Sequence, residues 1–164
     1  MDDMFAQGTT RPQRADSPGI RIPPPLVVIA VFLLGWLMQS RFPLPFLPNP
    51  AALILGAVLI LAYLVLALAA IPTMIRGGGT LNTSTPSKAL VTTGIYQITR
   101  NPLYLSLLLL YLGVACLTSM TWAAILLPFL LVYSQILIVR EERYLTRAFG
   151  AAYTDYKAHV RRWL

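Results

Sequence analysis

Two short polar stretches stand out in an otherwise apolar chain because their residues could do chemistry. The first is Gly94-Ile95-Tyr96-Gln97-Ile98-Thr99-Arg100-Asn101-Pro102-Leu103-Tyr104. It sets Arg100 and Asn101 at the mouth of a long apolar run that begins at Leu103. Asn is a favourable N-cap, and Pro is tolerated in the first helical turn because its missing N–H would have had no partner there. The stretch should therefore feed an apolar helix by its N-terminus. That end carries free amide donors and partial positive charge, reinforced by Arg100, so a carboxylate or phosphate could dock there. The second stretch, Arg140-Glu141-Glu142-Arg143-Tyr144-Leu145, closes a later apolar run. Its carboxylates suit an amine, a ribose diol or a cation, and Tyr96 and Tyr104 add flat faces with hydroxyls. An anion site opposite an acidic site suits a zwitterionic small molecule bearing a sugar. The same spacing equally allows Arg100 and Arg140 to pair with Glu141 and Glu142 as an interfacial ion-pair network, which stabilises little.

Membrane helices must position these stretches. The 164 residues are 57% hydrophobic and 12% charged, with a mean hydropathy of +0.67. A soluble domain carries about 25% charged residues. Apolar runs of spanning length predict an all-α integral membrane protein with about four transmembrane helices and no Rossmann domain. Residues 1–21 mix Asp, Gln, Thr, Arg, Ser, Pro and Gly without periodicity, which reads as a disordered cytoplasmic tail. Residues 22–164 should form a single membrane domain, with both polar stretches in its second half, 76–164. The tail is long and mixed in charge and no small-x-small site follows the first run, which disfavours a signal peptide.

The first run, Leu26 to Met38, reaches spanning length only with its flanking prolines or Gln39 and Ser40 at the interfaces. Arg41 to Pro50 is a Pro-rich turn. Ala51 to Ile75 is uncharged, with Pro72 expected to kink or end it, and Gly77-Gly78-Gly79 then reads as a flexible loop. That triplet has no preceding strand and no GxGxxG spacing, so it is not a nucleotide-binding fingerprint. Leu103 to Leu117 and Thr121 to Val139 are joined by Thr118-Ser119-Met120, a link short enough to force an antiparallel hairpin. Gly150 should stop the last long helix. A C-terminal interfacial helix follows, with Tyr153, Tyr156 and Val160 on one face, lying at the membrane surface or over the loop. Twelve of the thirteen Lys and Arg residues fall on one side if both termini are cytoplasmic; only Arg41 does not. The net charge of +7 therefore tracks topology rather than nucleic-acid binding. The two polar stretches share that face, and the hairpin brings them together. The single cysteine, Cys116, and the single histidine, His159, offer no metal cluster and no Ser-His-Asp arrangement.

The run Leu90-Val91-Thr92-Thr93-Gly94-Ile95-Tyr96-Gln97-Ile98-Thr99-Arg100-Asn101-Pro102-Leu103-Tyr104 is followed, after the hairpin, by Glu141-Glu142-x-x-Leu145-x-x-x-Phe149-Gly150-x-x-Tyr153-x-x-Tyr156-x-x-x-Val160-x-Arg162. In order and separation this resembles the isoprenylcysteine carboxyl methyltransferase and phospholipid methyltransferase superfamily of integral-membrane enzymes, and its bacterial members in particular. The resemblance covers the second half, from Lys88 onward. It implies an S-adenosyl-L-methionine-dependent methyltransferase of the bacterial inner membrane acting on a lipophilic acceptor, an isoprenylated or phospholipid-like amine or carboxylate. By resemblance the cofactor contacts are Lys88, Ala89, Leu90, Val91, Tyr96, Asn101, Pro102, Leu103, Tyr104 and Glu141, with Arg100 and Glu141 as the candidate catalytic groups. Asn101 stands where the carboxyl methyltransferases have His, and Ser106 where a Gly is frequent. Leu137 stands where the eukaryotic carboxyl methyltransferases place an Arg for the substrate carboxylate, so prenylcysteine carboxyl methylation is not implied.

Methyl transfer from a sulfonium relies on alignment and exclusion of water. The acceptor is expected to enter sideways from the bilayer. The competing class is a non-catalytic membrane scaffold that keeps the fold while binding a partner. A transporter is disfavoured because the apolar runs hold no charge and show no repeat.

Overall fold

The computed structural model describes residues 22–81, 87 and 89–164. Lys88 and the 1–21 tail lie outside them. The described residues form five α-helices and no strand: α1 (Pro24–Arg41), α2 (Asn49–Arg76), α3 (Pro102–Leu117), α4 (Thr121–Phe149) and α5 (Ala151–His159), with a 3-10 turn at Gly94–Gln97. Helices α1, α2 and α3 each open with proline in the first turn, where no N–H is required. Three helices, α1, α2 and α4, are long and apolar enough to cross a membrane. Helix α3 has 16 residues, about 24 Å at helical rise against roughly 30 Å of hydrocarbon. Large side chains such as Leu33, Trp36, Leu61, Leu68 and Val132 are exposed on the outer faces. Such a surface is matched to lipid tails rather than to water. This is an all-α integral membrane protein.

Of the two outcomes expected at Pro72, the helix end does not occur, since α2 continues to Arg76. The three glycines are not a free loop but the cap of that helix. Gly79 N–H donates to Met74 O at 3.0 Å and Gly78 N–H to Ile75 O at 3.1 Å. These bonds form a Schellman closure, with Gly78 at φ +73°. A side chain on Gly77 would sit 2.8 Å from Val91, so the small cap also lets the 89–91 segment lie against the end of α2. Composition reads Gly-Gly-Gly as loop because it cannot see these two bonds.

Helices α3 and α4 pack against each other across a turn in which Met120 N–H reaches back to Ala115 O at 2.9 Å. The most extensive pairing of α3 is nevertheless with α2. Helix α1 closes the bundle on α4. There Gly35 rests on the backbone of Ala123, Tyr111 donates to Ala123 O at 2.7 Å, and Phe32 packs edge-on against Tyr111. Helix α4 runs unbroken through Pro128 and on through the polar stretch to Phe149. It thus carries Glu141 and Glu142 out of the apolar layer on a rigid support.

An Ala replacing Gly in a helix interior ordinarily gains about 1 kcal/mol. At Gly35 the sign should reverse, because the added Cβ would lie 2.9 Å from Ala123 Cα, which is backbone and cannot rotate away. Gly35→Ala should destabilise the detergent-solubilised protein by about 1–3 kcal/mol, read as a fall in thermal unfolding temperature.

Candidate functional site

Successive residues on a helix point about 100° apart, so the adjacent glutamates of α4 meet different surroundings. Glu142 is buried, 5% exposed. Arg162 donates to it through Nε at 3.0 Å and Nη2 at 2.7 Å. Arg100 Nη2 lies 3.2 Å away and Lys157 Nζ 3.9 Å. The hydrogen bonds to Glu142 push the Arg162 pKa up, which keeps it charged. A paired, hydrogen-bonded carboxylate of this kind tolerates burial where a lone one would not. The ion-pair alternative therefore holds for Glu142 and Arg100, with Arg162 and Lys157 in place of Arg140, which is exposed. Among the described residues no cation lies within ion-pair distance of Glu141. Its Oε2 instead accepts a hydrogen bond from the Tyr104 hydroxyl at 3.1 Å, which ties the start of α3 to the polar end of α4.

The C-terminal residues strap the loop before α3. Arg100 N–H donates to Arg161 O at 3.0 Å, and Thr99 Oγ1 and Asn101 Nδ2 donate to Arg162 O at 3.2 and 2.9 Å. Trp163 Nε1 donates to Gln135 on α4. Asn101 occupies the N-cap position of α3, but its side chain makes no cap bond. That corrects the expectation of an Asn cap: the amide is held by Arg162, 61 residues away. Helix α5 packs over the same loop as anticipated, with Tyr153 buried and the Tyr156 hydroxyl donating to Tyr96 O. Burial and the Glu142 charge push the Tyr153 hydroxyl up to about 12 against the pull of Arg100, so it stays protonated.

Two cavities result. A narrow polar one, of about 70 Å³, is lined by Arg100, Tyr96, Asn101, Glu141 and residues 89–91, with Tyr144, Tyr153 and Tyr156 also on its wall. An apolar one, of about 270 Å³, lies among Tyr63, Ala67, Ile71, Leu103, Tyr104, Leu107 and Leu110. Met74, Thr80 and Glu141 line both. Of the residues singled out from sequence, Ala89, Leu90, Val91, Tyr96, Arg100, Asn101 and Glu141 gather around the polar cavity. Leu103 and Tyr104 face the apolar one, and Pro102 is buried and lines neither. Leu137, where an Arg was absent, packs on Tyr104 and Ile138. Sequence reasoning assigned no individual site role to Ser87, Tyr144, Leu145, Tyr153 or Tyr156, and had offered Glu142, together with Glu141, to an amine, a ribose diol or a cation. The i, i+3 tyrosines of α5 and the position of Tyr144 one turn beyond Glu141 were the available signals.

The contrast between the two glutamates is measurable. Glu142→Gln should cost about 2–4 kcal/mol of stability, because buried Arg100 loses its partner. Arg140→Ala should change stability by less than about 0.5 kcal/mol. Thermal or denaturant unfolding in detergent reads both.

Comparison with known proteins follows the same elements. The family profile described as phospholipid methyltransferase matches residues 51–152, which takes in α3, α4 up to Phe149 and nearly all of α2. An uncharacterized protein of Haemophilus influenzae is 46% identical over 68 residues, covering 38% of this chain and all of that one. No solved structure matches the chain. The profile spans more than half of the sequence and both polar stretches, and the chain belongs to the phospholipid methyltransferase family of membrane methyltransferases.

Proposed function

We propose that this protein uses S-adenosyl-L-methionine, held in the polar cavity, to methylate a lipophilic acceptor whose tail lies in the apolar cavity. The observation that carries this reading is that the two cavities meet at Glu141. The residues present fit such a cofactor. Arg100 Nε and Nη1 and the Tyr96 hydroxyl are buried without a hydrogen-bond partner among the described residues, so the polar cavity offers donors that the fold leaves unused. Native proteins rarely tolerate such groups unless a ligand or water completes them. Glu141 lies on the same cavity as an acceptor for an amine or a ribose hydroxyl.

When bound, the cofactor supplies an electrophilic methyl on a sulfonium; the chain supplies alignment and a dry boundary. Tyr104 fixes one oxygen of Glu141, so the carboxylate sits at a set position between the compartments. There it can orient the acceptor's reacting group by accepting its hydrogen bond. Arg100 is tied to Glu142 and acts in binding rather than as a proton carrier. Leu103, Leu107 and Leu110 form an apolar wall along α3, and Met74 and Thr80 stand at the junction. An acceptor drawn from the bilayer would present its polar end at Glu141 with its tail against this wall. Both termini lie on the cytoplasmic face in this reading, which the distribution of basic residues supports.

Equilibrium dialysis of the purified full chain with S-adenosylhomocysteine is the test. Saturable binding is expected, and Glu141→Gln should weaken it by about 1–3 kcal/mol while leaving the unfolding temperature nearly unchanged. Absence of saturable binding by folded wild-type protein would refute the enzyme reading and leave the scaffold. Leu107→Trp adds bulk to the apolar wall. It should raise KM for a long-chain acceptor at least about tenfold, as expected for an overfilled apolar site, without altering cofactor affinity.

A further inference from the structure

The outer face of α4 changes character along one line. Phe129, Val132 and Ile136 are followed at the same helical spacing by Arg140, Arg143 and Arg147, and all of them are exposed. Steps of three and four residues keep them on one side of the helix. A span of roughly 20 residues counted from Thr121 ends at Arg140, which sets Arg140 and Arg143 at headgroup level. Among the described residues nothing neutralises these charges. Their side-chain carboxylates are Glu141, Glu142 and Asp155, and each is committed elsewhere. Glu142 is held by Arg100, Lys157 and Arg162, Glu141 accepts from Tyr104, and Asp155 faces His159. On the membrane side of the arginines, Leu131, Val132, Gln135, Ile136 and Trp163 line a shallow groove of about 360 Å³. Its bond to Gln135 fixes Trp163 there, a residue type suited to the boundary between headgroups and acyl chains.

We propose that this face of α4 binds one anionic phospholipid of the surrounding bilayer, its phosphate held by Arg140 and Arg143 and one acyl chain lying in the groove beside Trp163. The groove shares no residue with the polar and apolar cavities, so the site requires neither cofactor nor acceptor. Charge complementarity selects the occupant. A zwitterionic headgroup brings its own cation to the arginines and gains less. A second copy docked face to face would set the two arginine stripes against each other, which disfavours a dimer through this surface. Trp163 directly follows Arg161 and Arg162, whose carbonyls hold the loop before α3. A lipid packed on Trp163 therefore braces that strap and stabilises the folded state by mass action.

Thermal unfolding of the full chain in neutral detergent, with dioleoylphosphatidylglycerol or dioleoylphosphatidylcholine added, tests the site. Native mass spectrometry of the retained lipid gives the affinity. Phosphatidylglycerol should raise the unfolding temperature by about 2–4 °C, and phosphatidylcholine by less than about half of that. The double variant Arg140→Gln/Arg143→Gln should unfold at the wild-type temperature without lipid and bind phosphatidylglycerol at least about tenfold more weakly. Arg143→Gln alone should lose about fivefold, a readout that survives if the double variant folds poorly. Arg76→Gln removes another exposed charge, at the end of α2, and should change binding by less than about twofold. Equal stabilisation by the two lipids, an equal loss in Arg76→Gln, or undiminished phosphatidylglycerol binding by the arginine variants would overturn the site. Equal stabilisation by chain-free glycerophosphoglycerol would also overturn it, by assigning the arginines to a soluble anion.

Discussion

A single buried carboxylate, Glu142, organises the polar end of this molecule. Burying a lone charge is prohibitive, so the chain must bring cations to it. It does so from three places: Arg100 before α3, Lys157 on α5 and Arg162 at the C-terminus. Once they are gathered, the loop before α3 is fixed at both ends. Its backbone and side chains bond to Arg161 and Arg162, and α5 covers it through Tyr156. Arg162 lies beyond the stretch matched by the family profile, yet it closes the sequence motif on which the resemblance to the wider superfamily rests.

The same arrangement explains why Glu141 differs from its neighbour. The cations are spent on Glu142, and a helix turn of about 100° points Glu141 to the other side. There it meets Tyr104 and the junction of a polar and an apolar cavity. In the proposed reading, a methyl transfer between a charged, water-soluble donor and a lipid would use such a boundary, because the two reactants are stable in different solvents. Membrane embedding and site chemistry are thus one problem. Helices α2 and α3 pack closely within the apolar layer, and Met74 near the end of α2 and Asn101 just before α3 line the polar cavity.

Much of this was legible in the residues themselves. The apolar runs gave the helices, the short Thr118–Met120 link gave the turn that joins α3 to α4, and the order of Tyr96, Arg100 and Glu141 pointed to a two-sided polar site. What escaped the sequence depended on long-range partners. Asn101 has the right type and position for an N-cap, but the carbonyl that claims its amide is 61 residues away. Glu141 and Glu142 are equivalent as letters; only the continuation of α4 through both of them sets one toward the cations and the other toward the cavities. The triple glycine illustrates the reverse case, since a composition typical of flexible loops serves here as a helix closure held by specific backbone bonds.

In the function proposed here, the junction at Glu141 is where a methyl group passes from a soluble donor to a lipid. Incubating the purified full chain with methyl-labelled S-adenosylmethionine and a total lipid extract tests it most directly, with mass spectrometry of the organic phase as the readout. Label is expected in a long-chain lipid product, strongly reduced by Glu141→Gln. Label that stays entirely in the aqueous phase with protein that binds S-adenosylhomocysteine, or label transferred equally well by the variant, would contradict it.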